Sequence, residues 1–278
     1  MAGIESLPLE HIDFAKRYGP WAVVAGASEG LGACYAEQLA RMGVNLVLVS
    51  RRFGVLEALG VRLSREFGIQ CRPVEINLAT PDAAARLLEA TADLDVGLYV
   101  SNAGLDGTGN NFLDAPLDRA AKLVAMNVNT LIATLHGFGN RFKARGSGGF
   151  VVMSSIGALI GSPWLATYAA TKAFGLTIAE SLWGEFRGVG VDIIGVCAPT
   201  MDTPTFRRAF EGLATGIPDA QDPAEIAAVA LAKLGKSPIV IFPESNDREN
   251  AREVEADRVR RLVEKVEWAD ANLTGANA

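Results

Sequence analysis

Cysteine, histidine and aromatic residues are scarce in this chain of 278 residues, which carries three Cys, two His and 7% Phe, Trp and Tyr together. Cys34, Cys71 and Cys197 are odd in number and lack CxxC or other metal-type spacing, which argues against a disulfide framework and fits a reducing cytosol. His11 and His136 lie too far apart for a local zinc motif, so no metal is expected. Basic residues are outnumbered: Lys+Arg 26 against Asp+Glu 32 gives a net charge of −6, with a pI near 5.1. Nucleic acids and anionic membranes want clustered Lys and Arg, so neither is an expected partner. Long apolar runs are missing too, and no stretch reaches the ~18 residues of a membrane span. Glu5, Glu10 and Asp13 stand where a secretory signal would have a basic start and an apolar core. A cytoplasmic protein, neither exported nor membrane-spanning, is expected.

What is present is ample material for a core: 49% hydrophobic and 21% charged residues, with mean hydropathy +0.20. Short, continuously apolar, β-branched runs recur at Trp21 to Ala25, Asn45 to Ser50, Cys71 to Ile76, Leu98 to Ser101, Phe150 to Ser154, Val191 to Cys197 and Ile239 to Phe242. Such runs suit strands covered on both faces of a parallel sheet. Between them, apolar residues spaced three and four apart predict helices over Leu31 to Met42, Leu56 to Phe67, Ala83 to Ala92, Leu117 to Ala144, Tyr168 to Arg187 and Pro223 to Leu234. The alternation predicts an α/β fold, a Rossmann-type doubly wound parallel sheet of about seven strands with helices on both faces. A single domain over 1–278 is expected, with its core at about 20–243 and a charged C-terminal helix at about 246–270. In that tail Val254, Val259, Leu262, Val263 and Val266 share one helix face, which fits a charged surface helix or a subunit contact.

The chemistry is concentrated in Tyr168-Ala-Ala-Thr-Lys172, with Ser155 thirteen residues upstream (168 − 155). Residues four apart on a helix share a face, so the phenol and the ammonium project together. A nearby cation favours a phenolate, which predicts a Tyr168 pKa below the ordinary value of roughly 10. That is the requirement for acid–base chemistry on an alcohol or ketone. Ser155 lies just past the run Phe150 to Ser154, at the sheet edge where ligands bind in open α/β folds. Ser154 is its rival, separated from it by the thirteen-residue spacing alone.

The first strand runs into Ala25-Gly-Ala-Ser-Glu-Gly-Leu-Gly32, with a helix starting near Gly30. Glycines there let the backbone approach a pyrophosphate, whose charge the helix N-terminus meets. A free ribose 2′-hydroxyl wants Asp or Glu about twenty residues later; Ser50-Arg51-Arg52 stands there instead. Arginine forks suit a phosphate, which favours NADP(H) over NAD(H). The competing reading leaves both arginines solvated or paired with acids on the neighbouring helix.

Together these residues resemble the short-chain dehydrogenase/reductase family across about 230 residues. The family's Thr-Gly-x3-Gly-x-Gly loop is matched by Gly26, Gly30 and Gly32, its Asn-Asn-Ala-Gly element by Ser101-Asn102-Ala103-Gly104, and its Ser and Tyr-x3-Lys by Ser155, Tyr168 and Lys172. Its Pro-Gly-x3-Thr element appears as Pro199-Thr-Met-Asp-Thr203. The resemblance implies an NAD(P)-dependent oxidoreductase. In it Tyr168 passes a proton to the substrate oxygen, Ser155 hydrogen-bonds that oxygen, and Lys172 holds the nicotinamide ribose. Hydride moves to or from the nicotinamide ring. A fourth catalytic residue, an asparagine that keeps a water in the proton relay, is Asn127 or Asn129, with ungapped counting from Ser155 favouring Asn127. Cofactor contacts are implied for Gly26, Ser28, Glu29, Gly30, Leu31, Gly32, Arg51, Arg52, Asn77, Leu78, Asn102, Ala103, Gly104, Tyr168, Lys172, Pro199 and Thr203. Ala25, Ser101, Asn77 and Thr200 depart from the family pattern without touching the catalytic set. A homodimer or homotetramer through the two long helices is implied as well.

The resemblance also implies a substrate lid at about Asp202 to Pro218, which offers Phe206, Phe210 and Leu213, while Leu159, Ile160 and Trp164 from the loop before Tyr168 would form the other wall; these suggest an apolar pocket for a small-molecule carbonyl or alcohol. Arg207 and Arg208 would steer an acidic substrate such as a β-ketoacyl thioester, or else are solvated. The expected reaction is carbonyl reduction of an apolar substrate by NADPH. The alternatives are a β-ketoacyl thioester reductase, an NAD-dependent alcohol or steroid dehydrogenase and, from another class, a non-catalytic nucleotide-sensing protein.

Overall fold

Each apolar run becomes a strand of one parallel sheet in the computed structural model, which describes residues 11–104, 111–161, 163–209, 220–243 and 248–272. The strands are β1 (Trp21–Ala25), β2 (Asn45–Ser50), β3 (Cys71–Glu75), β4 (Val96–Ser101), β5 (Gly148–Ser155), β6 (Val191–Ala198) and β7 (Ile239–Ile241), in the order β3-β2-β1-β4-β5-β6-β7. Alternate residues point to opposite faces, and both faces are covered. Val24 and Leu48 pack with α2 (Gly30–Arg41), α3 (Phe53–Phe67) and α9 (Pro223–Lys233), whereas Val23 and Val47 pack with α4 (Ala83–Ala90), α6 (Leu131–Arg145) and α7 (Ala166–Glu185). On the second face the stacked rings of Tyr99 and Phe138, 5.1 Å apart, anchor an aromatic cluster with Phe142 and Phe150.

The strand order reverses direction between β1 and β4, and the crevice beyond their C-terminal ends is where such sheets bind ligands. Two features differ from the sequence-based expectation. A short helix, α1 (His11–Tyr18), precedes β1 and packs Phe14 and Tyr18 onto the core, with their rings 4.7 Å apart. The helix expected over Leu117 to Ala144 divides into α5 (Leu117–Val124), a π-helical turn at Ala125–Thr130, and α6. A π turn takes up one extra residue without altering the apolar spacing on either side, so periodicity does not reveal it. The charged tail forms α10 (Arg248–Asn272), which docks on its own chain. Arg258 donates to both oxygens of Glu180 at 2.7 and 3.0 Å, and Glu255 accepts the backbone N–H of Ile241 at 2.7 Å, capping the edge of β7. After α8 (Pro204–Ala209) the chain returns to the described residues at 220.

Candidate active site

The end of β5 presents two serines to opposite sides, as successive strand residues must. Ser154 is buried, and its hydroxyl donates to the Lys172 carbonyl at 2.8 Å, tying β5 to α7. Ser155 accepts from the Gly157 N–H at 3.2 Å and interacts with the Tyr168 hydroxyl. Ser155 is therefore the serine beside the phenol. Lys172, one helical turn on, is buried; its Nζ donates to the Met153 carbonyl at 2.9 Å and lies 5.8 Å from the centre of the Tyr168 ring. Burial lowers the Lys172 pKa to about 8.

Tyr168 departs from its expected direction. Burial raises its pKa above the ordinary phenol value, and the Ser155 interaction brings it only part of the way back. The lysine sits near the ring and is held by a backbone carbonyl, and its own charge is disfavoured by burial. In the protein alone, desolvation therefore outweighs the cation's pull.

The π turn aims Asn127 inward and leaves Asn129 exposed, which separates the two candidates. Asn127 Nδ2 donates to the Gly104 carbonyl at 3.2 Å and to the Thr171 hydroxyl at 2.9 Å, while its buried Oδ1 accepts nothing among the described residues. A Cβ added to Gly104 would lie 2.7 Å from both Asn127 Oδ1 and Lys172 Nζ. The amide oxygen and the ammonium thus converge over one bare Cα, where φ is +156°.

The glycine loop follows β1. Gly26 (φ +82°) brings its backbone so close to Ala103 that a Cβ would meet that residue at 2.9 Å. The N–H groups of Gly26 and Ala27 donate to Val49 at 2.8 and 3.1 Å, and the Asn102 amide donates to the Gly26 carbonyl at 3.1 Å. Gly30 opens α2, Leu31 is buried beneath it, and Gly32 packs against the Gly26 carbonyl. Glu29 precedes α2 without a side-chain cap, so the first N–H groups are left for an anion. Thr203 is buried beside Gly30, and Pro199 is buried after β6. Asn77 is exposed past the end of β3 with its Oδ1 accepting from the Ala79 N–H at 3.2 Å; Leu78 is buried. An uncapped helix start, close-packed glycines and a buried orphan amide oxygen next to a lysine fit a dinucleotide laid across the crevice.

Beyond β2 the two arginines differ. Arg51 is exposed and has no side-chain partner among the described residues. Arg52 donates to the Ser28 hydroxyl at 2.7 Å and lies 3.0 Å from Glu29 Oε2, the pairing the competing reading anticipated, though with the glycine loop as partner. Glu29 Oε1 accepts from Thr205 and Arg208 on α8. Burial alone would raise the Glu29 pKa, yet hydrogen bonds from Arg208, Thr205 and Arg52 hold it down at about 2.

The profile of the short chain dehydrogenase family matches residues 20–214. This chain belongs to the short-chain dehydrogenase/reductase family. It is 31% identical over 255 residues to a 7beta-hydroxysteroid dehydrogenase of Clostridium sardiniense, covering 92% of this chain and 97% of that protein. A solved structure from work on 7beta-hydroxysteroid dehydrogenase stereoselectivity has a TM-score of 0.77 at 28% identity, over 90% of this chain and 98% of that one. A short-chain dehydrogenase from Sphingobium yanoikuyae in complex with NADPH also has a TM-score of 0.77, at 26% identity, over 88% of this chain and 95% of that one. Membership makes the protein an oxidoreductase acting on CH–OH groups with a nicotinamide nucleotide.

Against Tyr168 this dehydrogenase/reductase has a cavity of about 230 Å³ whose lining is mostly apolar, with Phe112, Leu113, Leu117, Leu123, Trp164 and Leu165, and which Arg119 also lines. Trp164 stands in the left-handed region at φ +62° with its ring largely exposed, a conformation that costs a bulky residue about 1–2 kcal/mol and needs its surroundings to hold it. Trp164 lines this cavity with Tyr168, but the rest of the wall does not come from the segment after Asp202. Phe206 is outside it, with its N–H bonded to Thr203 Oγ1 at 3.2 Å, and Phe210 and Leu213 lie outside the described residues. Leu159 packs inward with Leu176 and Cys197, and Ile160 is exposed outside the wall. Arg207 forks onto Asp202 at 2.6 Å through both nitrogens and Arg208 is taken by Glu29, so both are paired with acids rather than left solvated. Sequence reading missed the wall from α5 because Leu117 and Leu123 look like ordinary apolar residues of an amphipathic helix.

Proposed function

We propose that this enzyme interconverts a bulky apolar ketone and its secondary alcohol, working as a carbonyl reductase with NADP(H) in preference to NAD(H), and with Tyr168 as proton donor and acceptor. The observation that carries the reading is the position of Tyr168, which lines an apolar cavity on one side and shares an interaction with Ser155 on the other. A bound nicotinamide supplies or accepts the hydride. As reduction proceeds, negative charge grows on the carbonyl oxygen. Ser155 and Tyr168 are hydroxyls placed to donate to that oxygen, an interaction stronger in the transition state than in the ground state. The raised Tyr168 pKa keeps the phenol protonated in the free protein, as a proton donor requires. Lys172 and the orphan Oδ1 of Asn127 flank the space from which that proton is replaced. The cavity's apolar wall and the hydroxysteroid dehydrogenase relative support a rigid polycyclic or similarly bulky ketone. Arg51, exposed just past β2 and unpartnered among the described residues, and the NADPH complex of a relative support NADP(H).

The test is NADPH oxidation over a panel of steroid ketones, small apolar ketones and β-ketoacyl thioesters, with NADH in parallel. Turnover confined to thioesters would replace the substrate reading, and equal or faster turnover with NADH would replace the cofactor reading. A homo-oligomer through the α5–α6 and α7 faces is proposed too, supported by the exposed Val124 and Ile132; sedimentation at micromolar concentration giving a monomer would oppose it.

A further inference from the structure

One carboxylate joins three parts of the enzyme that bind different things. Glu29 Oε2 faces Arg52 at the end of β2, where an adenosine ribose lies in this fold class; its Oε1 takes Thr205 and Arg208 from α8, the start of the substrate lid. Arg52 is shared with Ser28 of the glycine loop at 2.7 Å. Only 19% of the Glu29 side chain is exposed, against 44% for Arg52 and 56% for Arg208, so the acid is the enclosed centre of the cluster and the arginines close over it. Glu29 also stands directly before the uncapped start of α2, whose positive end favours a negative charge.

We propose that Glu29 is an internal anion that holds Arg52 in the free enzyme and fastens the lid helix to the cofactor loop, and that a 2′-phosphate displaces it from Arg52 alone. The proposal rests on the NADP(H) preference above. A guanidinium fork prefers a phosphate, with its greater charge and three acceptor oxygens, over a single carboxylate oxygen. Two anions cannot share Arg52 at close range without repulsion, so arrival of the phosphate and departure of Glu29 Oε2 are one exchange. Arg51, exposed next door and with no side-chain partner among the described residues, takes the incoming phosphate first. Oε1 keeps its partners on α8 through the exchange, and the lid stays fastened while the cofactor is bound. NADPH affinity is thereby lowered relative to NADH affinity by an amount that Glu29 sets, since binding must first break the Glu29–Arg52 pair.

Cofactor fluorescence titrations with NADPH and NADH on wild type, Glu29→Gln and Arg208→Gln, with hydrogen exchange of the α8 amides, test this. Glu29→Gln is expected to tighten NADPH about fivefold and NADH less than about twofold, and to speed α8 exchange. Arg208→Gln is expected to speed α8 exchange while leaving the NADPH/NADH ratio of affinities unchanged. In wild type, NADPH should not speed α8 exchange. An unchanged ratio in Glu29→Gln, or equal tightening of both cofactors, overturns the exchange. Selective loss of NADPH in Arg208→Gln overturns the division of roles, because Arg208 would then be a phosphate ligand. Wild type binding NADH as tightly as NADPH defeats the cofactor reading itself, and the wild-type titrations show that before any variant is made.

Discussion

Around Tyr168 the polar side chains are buried and bound to the backbone; around Glu29 they are half exposed and bound to one another. Ser154, Asn127, Thr171 and Lys172 are each under one-tenth exposed, and they bond the carbonyls of Lys172, Gly104, Tyr168 and Met153. Those carbonyls belong to β5, α7 and the turn after β4, which the core holds rigidly, so the reacting groups inherit its positional precision. At the other end Arg52, Glu29 and Arg208 form ion pairs with solvent close by, where a pair contributes about 0–1 kcal/mol. Contacts that weak can be exchanged for a ligand's without disturbing the fold. The contrast suits an enzyme whose chemistry must be fixed and whose cofactor must come and go.

The comparison can be broken most severely at its rigid end. Tyr168→Phe should lower kcat/KM for ketone reduction by about 10²–10⁴-fold, the usual contribution of a positioned acid, with NADPH affinity within about threefold of wild type by fluorescence. Equal loss of binding would mean the phenol is structural. Lys172 gives a sharper test of burial. Its folded pKa of about 8 lies below the unfolded value of roughly 10.4, so between those pH values the unfolded chain binds more protons and stability rises with pH. In urea unfolding of the cofactor-free proteins, wild type should gain on the order of 3 kcal/mol relative to Lys172→Met across that window, the thiols of Cys34, Cys71 and Cys197, whose pKa values burial raises, acting in the opposite sense equally in both. A difference between the two that stays constant with pH would place the titration elsewhere.

Milder effects belong to the exposed regions. Trp164→Ala should raise KM for bulky apolar ketones about tenfold and leave small ketones nearly unchanged, as steady-state kinetics on the two classes would show, because only a large substrate reaches its ring. Arg207→Gln should change stability by less than about 0.5 kcal/mol and leave substrate kinetics unaltered, its partner Asp202 being exposed as well. A marked loss toward anionic substrates in that variant would restore a steering role to Arg207.

Much of the rigid end is legible in the chain. Ser155, Tyr168 and Lys172 are placed by strand and helix periods that the sequence displays, and the glycine loop is read from its position between a buried strand and a helix. What is illegible there depends on one-residue geometry. Whether Asn127 or Asn129 faces inward is decided by the π turn, and whether Ser154 or Ser155 meets the phenol is decided by the pleat of β5. At the exposed end Arg51 and Arg52 look equivalent in sequence, but Glu29, distant along the chain, pairs with one of them.

By itself, then, the sequence determined the strands, the helices on both sheet faces, the family and the residue types available for proton transfer, because these follow from local periodicity and motif spacing. Only the tertiary structure decided which asparagine faces inward and which serine meets the phenol, that α5 and Trp164 wall the cavity, and that the Tyr168 pKa is raised rather than lowered. Each of these depends on burial and on neighbours brought together from separate elements, quantities that no local window of sequence contains.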